Sequence, residues 1–149
     1  TRKRMSMICK EMGSPNLIMY MKGADSIMFP RLTIQPADLE KLEEDLSAFA
    51  KKGLRTLVMG KKILTQQTYD EWKIRYDEVN TSNALDKEDQ LNVLYDELEY
   101  EFNYVGSSAI EDLLQDQVPE TIADLMSANI RLWVLTGDKQ ETAIEIGKS

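Results

Sequence analysis

The run Leu132-Trp-Val-Leu-Thr-Gly-Asp-Lys-Gln-Glu-Thr-Ala-Ile-Glu-Ile-Gly147 constrains the fold more than any other stretch of this chain. An apolar run leads into Thr136-Gly137-Asp138 and helix-forming residues follow, so the spacing predicts a buried strand, a tight turn and a helix. A helix N-terminus offers unpaired backbone N–H groups and a partial positive charge, which suits an anion such as phosphate. Gly137 lets the backbone approach a ligand, and Thr136 and Asp138 supply oxygens. Asp138 would also cap the helix in a turn without chemistry. The surrounding residues must decide between the two.

Upstream, Tyr104-Val-Gly-Ser-Ser-Ala109 has the texture of a strand end, Pro119 opens a helix to Ala128, and Ile130 to Leu135 is expected as the buried strand. This is βαβ order, which implies a parallel sheet with crossover helices and the start of a doubly wound α/β fold. The residues before it differ. Met5–Lys10 and Leu17–Lys22 are short and β-prone around the turn-forming Glu11–Asn16, and are expected to form a hairpin. Leu39, Leu42, Leu46 and Phe49 share one helix face that ends at Gly53, and Leu54–Met59 is expected as a buried strand. Thr65 can cap a second helix through Trp72, Tyr76 and Val79, and a third is expected from Asp86 to Phe102 with Leu91, Leu94, Leu98 and Phe102 along one side. The tyrosines and tryptophan of these helices are core anchors in this reading. A domain boundary is expected near residue 102 or 103, between an α+β domain with an antiparallel sheet and a partial α/β segment.

Composition narrows the chemistry. With 149 residues there is room for one ordinary domain, or a small one and part of another. A formal charge of -8, from 26 acidic and 18 basic residues, argues against a nucleic-acid-binding surface, which would be basic. The chain has no histidine, which removes Ser-His-Asp catalysis and histidine metal sites. Cys9, the lone cysteine, has no internal partner and fits a reduced, buried thiol of a cytosolic protein. No apolar run approaches the roughly 20 residues of a membrane-spanning helix, and Thr1-Arg-Lys-Arg4 is not followed by a signal-peptide core. The chain starts inside a basic, strand-like segment and stops about two helical turns after Thr-Gly-Asp, so it is expected to be a soluble piece of something longer.

Lys22 precedes a Gly-Ala turn at a strand end, from which a lysine can reach a ligand's phosphates or base while Gly23 leaves the wall open. Arg2, Lys3 and Arg4 add positive charge on the partner strand, and Arg55, set among Leu54, Leu57 and Val58, calls for a partner. In so acidic a chain, a basic pocket of Lys3, Lys22 and Arg55 would be a local exception that suits a polyphosphate nucleotide. The carboxylates of Glu111, Asp112, Asp116 and Glu120 suit capping and turns better than catalysis. No Walker or dinucleotide glycine fingerprint occurs.

In order and spacing, Arg2-Lys-Arg-Met-Ser6, Lys22-Gly-Ala-Asp25, Gly53-Leu-Arg-Thr-Leu57, Ala109-Ile-Glu-Asp112, Leu114-Gln-Asp116, Val118-Pro-Glu-Thr-Ile122 and Trp133-Val-Leu-Thr-Gly-Asp-Lys-Gln-Glu-Thr-Ala-Ile144 resemble the P-type ATPases, in particular the phospholipid-transporting (flippase) branch. The resemblance covers nearly the whole chain. It implies that residues 1–102 belong to the nucleotide-binding domain and that residues 103–149 begin the second half of a haloacid-dehalogenase-like phosphorylation domain. It further implies ATP as ligand, with Lys22 lining the adenosine pocket, Lys3 at its edge and Arg55 at the phosphates. Thr136, Gly137 and Asp138 would stand beside the transferred phosphoryl group, where positioning and charge stabilisation do the work. Mg2+ would be held by residues outside this chain. The partners implied are the remaining domains of the parent ATPase, on the cytosolic side of a membrane, and a phospholipid met only through transmembrane segments.

The departures also carry weight. The family's Asp-Lys-Thr-Gly-Thr segment, whose aspartate is phosphorylated, its Gly-Asp-Gly-x-Asn-Asp metal segment and its Asp-Gly-Glu-Thr loop are absent, so this chain alone is expected to be inactive. The family's adenine-stacking Phe would precede Thr1, which implies ATP binding weakened to the millimolar range. Gln117 stands where a Gly is common in the family. The rival reading is a non-catalytic interaction module, in which the acidic helices between Pro36 and Phe102 dock a partner.

Overall fold

The computed structural model describes residues 2–111, 115–133, 135–137, 143, 144 and 147. The chain divides into two compact units, residues 1–39 with 57–107 and residues 40–56 with 108–149.

The first unit is built on a hairpin. β1 (Arg4–Lys10) and β2 (Leu17–Gly23) pair antiparallel from Arg4↔Gly23 to Lys10↔Leu17, and β2 pairs in turn with β4 (Arg55–Leu64) from Leu17↔Leu64 to Gly23↔Val58. A short helix α1 (Asp25–Met28) and a 3-10 turn (Phe29–Arg31) lead to β3 (Leu32–Thr33), which lies parallel to β5 (Phe102–Ile110) through Leu32↔Phe102 and Thr33↔Asn103. The five strands run in the order β1-β2-β4-β5-β3. The fold is therefore α+β as expected, but the sheet is mixed rather than antiparallel. A parallel neighbour needs a long crossover, and here some seventy residues separate Thr33 from Phe102.

Alternation along β2 sorts its residues to two faces. Leu17, Met19 and Met21 are buried, whereas Tyr20 and Lys22 are exposed. The buried core of this unit also holds Met28, Val58, Leu64, Trp72, Leu94, Leu98 and Phe102. Helices α3 (Gln66–Thr81) and α4 (Lys87–Leu98) pack together; Trp72 stacks on Tyr76 at 5.0 Å between centroids, and its indole Nε1 donates to Leu94 O at 2.8 Å. Trp72 is thus the core anchor its sequence setting implied.

Several helix ends follow local chemistry. Thr65 Oγ1 accepts from the Thr68 N–H at 3.2 Å, capping α3 as expected. After α2 (Pro36–Ala50), Gly53 adopts φ +77°, with Gly53 N–H donating to Ala50 O and Leu54 N–H to Phe49 O, the paired bonds of a Schellman termination. Three boundaries differ from expectation. The helix expected to reach Phe102 stops at Leu98, Glu101 turns the chain with φ +59°, and Phe102 begins β5 fully buried. Phe102 continues the i, i+4 series only in number; its apolar ring is buried by the sheet. The strand expected over Leu54–Met59 starts at Arg55 and runs on through Gly60, Lys61 and Lys62 to Leu64; the two adjacent lysines point to opposite faces, Lys61 to the exposed side beside Tyr20, while Lys62 is half-buried and donates to Tyr100 O at 3.0 Å. On α2, Leu42, Leu46 and Ala50 are buried, but Phe49 is partly exposed.

In the second unit, α5 (Val118–Ser127) begins with Pro119 in its first turn and Gln117 at φ +68° before it. A left-handed conformation is one that glycine adopts most readily, so Gln117 holds it at a steric cost that a Gly would avoid. The strand expected at Ile130–Leu135 is not formed at residues 130–133 or 135, where Trp133 is 82% and Leu135 91% exposed. An apolar run becomes a parallel strand only when flanked by strands and covered on both faces, and among the described residues it has no such partner. The helix expected after Thr-Gly-Asp falls largely outside the described residues, although Ala143, Ile144 and Gly147 are helical.

Candidate functional site

The side of the β1-β2-β4 sheet opposite Met19 and Met21 carries a concave apolar surface. Directly opposed residues of antiparallel strands share a face, so Met5, Lys22 and Met59 form one row and Met7, Tyr20 and Lys61 the next. Met5, Met7 and Tyr20 are about half exposed, the inverse of Met19 and Met21 on the opposite side. A cavity of about 340 Å³ lies here, lined by Met5, Met7, Tyr20, Lys22, Met59 and Val105 among others. That volume is within the roughly 300–1,000 Å³ usual for small-molecule pockets. Thioether side chains are polarisable and pack well on aromatic faces. The floor is therefore suited to a flat heteroaromatic ring, and Lys22 places a cation at its rim.

The strand end beside Lys22 is held closely. Ala24 N–H donates to Lys3 O at 3.1 Å, and a Cβ on Gly23 would stand 2.8 Å from both Lys3 O and Arg4 Cβ. Gly23 thus permits close approach of β1, rather than opening the wall as its position beside Lys22 suggested. Lys3 is exposed and takes φ +48°. Lys3 and Lys22 are brought to one end of the hairpin. Arg55 belongs to the second unit, and its side chain is exposed, so burial is not what calls for its interactions.

Arg2 and Arg4 do not extend the basic surface. Both pair with Glu99, which is fully buried: Arg2 Nη2 meets Glu99 Oε1, Arg4 Nε donates to Oε2 at 2.6 Å, and Ser6 Oγ donates to Oε1 at 2.7 Å. Arg4 also pairs with Asp96, which Arg31 approaches at 3.4 Å, and Arg2 lies over the Tyr95 ring at 4.5 Å. Burial raises the Tyr95 hydroxyl above its ordinary value, assisted by its hydrogen bond with Tyr76 and opposed by Arg2. Nearby, burial lowers the Lys62 ammonium below its ordinary value, with Glu101 and Glu99 opposing; Lys62 Nζ donates to Tyr100 O at 3.0 Å.

The sequence reading missed Glu99 and the Met5-Met7-Met59 floor. Glu99 is one of many acidic residues in its segment, and Arg2 lies before β1 with the left-handed Lys3 between it and Arg4, so strand periodicity does not reveal that the two arginines meet one carboxylate. Thr136 and Gly137 are in the second unit, outside any helix or strand, while Asp138 lies outside the described residues. Among the described residues, no cluster of three or more acidic or cysteine side chains is placed to hold a metal ion, and no helix is long and apolar enough to cross a membrane.

Residues 1–117 match the family model described as P-type ATPase, cytoplasmic domain N. The chain belongs to the P-type ATPase family. Its relatives include the phospholipid-transporting ATPase C4F10.16c of Schizosaccharomyces pombe, 45% identical, with all of this chain and 11% of the relative covered. Others are the phospholipid-transporting ATPase DNF1 of Saccharomyces cerevisiae, 44% identical with all of this chain and 10% of the relative covered, and the human phospholipid-transporting ATPase ID, 47% identical with 99% and 12% covered. The chain spans about a tenth of the length of these curated relatives.

Proposed function

We propose that the open sheet face binds the adenosine part of ATP. The observation that carries this reading is the thioether-lined cavity of about 340 Å³ with Lys22 at its edge. The purine would lie on Met5, Met7 and Met59, where removal from water stabilises it by roughly 25 cal/mol per Å² of apolar surface covered. Lys22 and Lys3 would supply positive charge toward the ribose and phosphates. Residues 1–102 form the nucleotide-binding domain in this proposal, and residues 103–149 begin a haloacid-dehalogenase-like phosphorylation domain in which Thr136, Gly137 and Asp138 flank the phosphoryl group.

The parent activity that fits these relatives is ATP-driven phospholipid translocation through an aspartyl-phosphate, with this chain on the cytosolic face of a membrane. Mg2+ would accompany the nucleotide as counterion to its phosphates. Positions in this chain contribute binding and orientation; the phosphorylated aspartate is supplied by another segment.

Titration of the chain with ATP, followed by NMR chemical shifts, tests the site. We expect saturable millimolar shifts at Met5, Lys22 and Met59 that Lys22→Ala weakens about tenfold, equivalent to roughly 1.4 kcal/mol. A chain showing no saturable shift up to about 10 mM, near the weak end of specific affinities, would favour the interaction-module reading instead.

A further inference from the structure

Lys3 is held in a left-handed backbone conformation, φ +48°, that a residue with a long side chain keeps only where its neighbours impose it. Those neighbours are visible on both sides. Arg2 and Arg4, immediately before and after it, both reach the Glu99 carboxylate. Arg4 Nη1 also donates to Arg2 O at 3.3 Å, closing a ring of contacts that spans Lys3. From β2, the Ala24 N–H donates to Lys3 O, and Gly23 makes room for that oxygen.

We propose that Glu99 is a positioning residue for the nucleotide site: through Arg2 and Arg4 it fixes the backbone of Lys3, and so the place of the Lys3 charge beside the Lys22-Gly23-Ala24 strand end. The proposal rests on the nucleotide reading given above and adds a residue on the far side of the sheet to it. Stability alone does not account for Glu99. Desolvating a carboxylate with two guanidiniums is costly, and well-packed apolar residues commonly do as well or better at such places. What an apolar cluster lacks is direction. Charge-assisted hydrogen bonds from two residues spaced i, i+2 fix the orientation of the peptide between them, and Ser6 Oγ, donating to the same carboxylate from further along β1, orients the acceptor.

A double-mutant cycle joining Glu99→Gln and Lys3→Ala tests this in the 149-residue chain. Without nucleotide, Glu99→Gln should speed hydrogen exchange at the Ala24 amide more than at the amides of β4. With ATP, it should raise the dissociation constant roughly three- to tenfold, the scale of one charge-assisted contact, while leaving adenosine binding within about twofold. In the Lys3→Ala background, Glu99→Gln should have no further effect on ATP.

If Glu99→Gln does not fold, Arg2→Gln serves. It keeps Glu99 paired with Arg4 and Ser6 and should give the same pattern at smaller size. Ala24 exchange that moves no more than β4, equal weakening of adenosine and ATP, or full additivity with Lys3→Ala would overturn the proposal. Absence of saturable ATP shifts in the unmutated chain would refute the nucleotide reading and the ligand half of this proposal with it. Unchanged Ala24 exchange, by contrast, would refute the clamp while leaving the nucleotide site standing.

Discussion

The two units use similar apolar residues to different ends. In the first, Phe102, Met21, Met28 and Val58 are essentially inaccessible to water, and even a carboxylate is fully enclosed once two arginines meet it. In the second, Ile122, Met126, Ile130, Leu132, Trp133 and Leu135 all keep 40% or more of their surface exposed. Hydrophobicity is therefore a demand for partners rather than a location. The first unit answers that demand with a sheet and helices, and the second answers it at Leu42, Leu46 and Ala50 of α2, whereas its described apolar residues from Ile122 to Leu135 do not.

The largest expected effect sharpens this contrast. Phe102→Ala should cost about 3–5 kcal/mol by the usual range for buried aromatic truncation, and Trp133→Ala less than about 0.5 kcal/mol, measured by denaturant unfolding. Comparable losses would mean that the second unit packs as tightly as the first.

Two glycines give a smaller contrast. A Cβ on Gly60 would lie 2.8 Å from Phe102 Cβ, whereas nothing lies within 4 Å of one on Gly137. Gly60→Ala should destabilise by about 1–3 kcal/mol through overpacking, and Gly137→Ala should leave the unfolding midpoint unchanged. A stability loss at Gly137 would show packing around that turn.

The smallest effect concerns pH. Because burial lowers the Lys62 ammonium in the folded chain, the native state binds fewer protons than the unfolded one between that lowered value and 10.5. Stability contributed through this group is thus least at neutral pH and rises as pH climbs through that interval. Lys62→Met should abolish the rise, seen as a flatter dependence of the unfolding midpoint on pH. An unchanged slope would assign the alkaline gain elsewhere.

Features encoded over a few residues were legible in the sequence. The hairpin, the Thr65 cap, the end of α2 at Gly53 and the opening of α5 at Pro119 each depend on neighbours within a turn or two. Features that depend on distant pairing were not. The two-residue β3 has no pattern to read, and Phe102 satisfies a helical period while its burial comes from the sheet. Lys22 was picked out by its strand-end setting and by resemblance. The methionine floor escaped because Met5, Met7 and Met59 look the same in sequence as the buried Met19 and Met21; only pairing register separates them. Ile130–Leu135 shows the converse, since its run of apolar residues specifies strand potential but not the strands needed to realise it.

That register gives the hairpin a parity. β2 presents its odd-numbered residues to one side and its even-numbered residues to the other, so inserting or deleting one residue within it would interchange them. Met21 would turn toward water and Lys22 toward the core, and the methionine-lined floor and the packing surface would be lost together. Length changes in this strand would thus act on the proposed nucleotide site as a switch, while substitutions that keep the count would tune it by degrees.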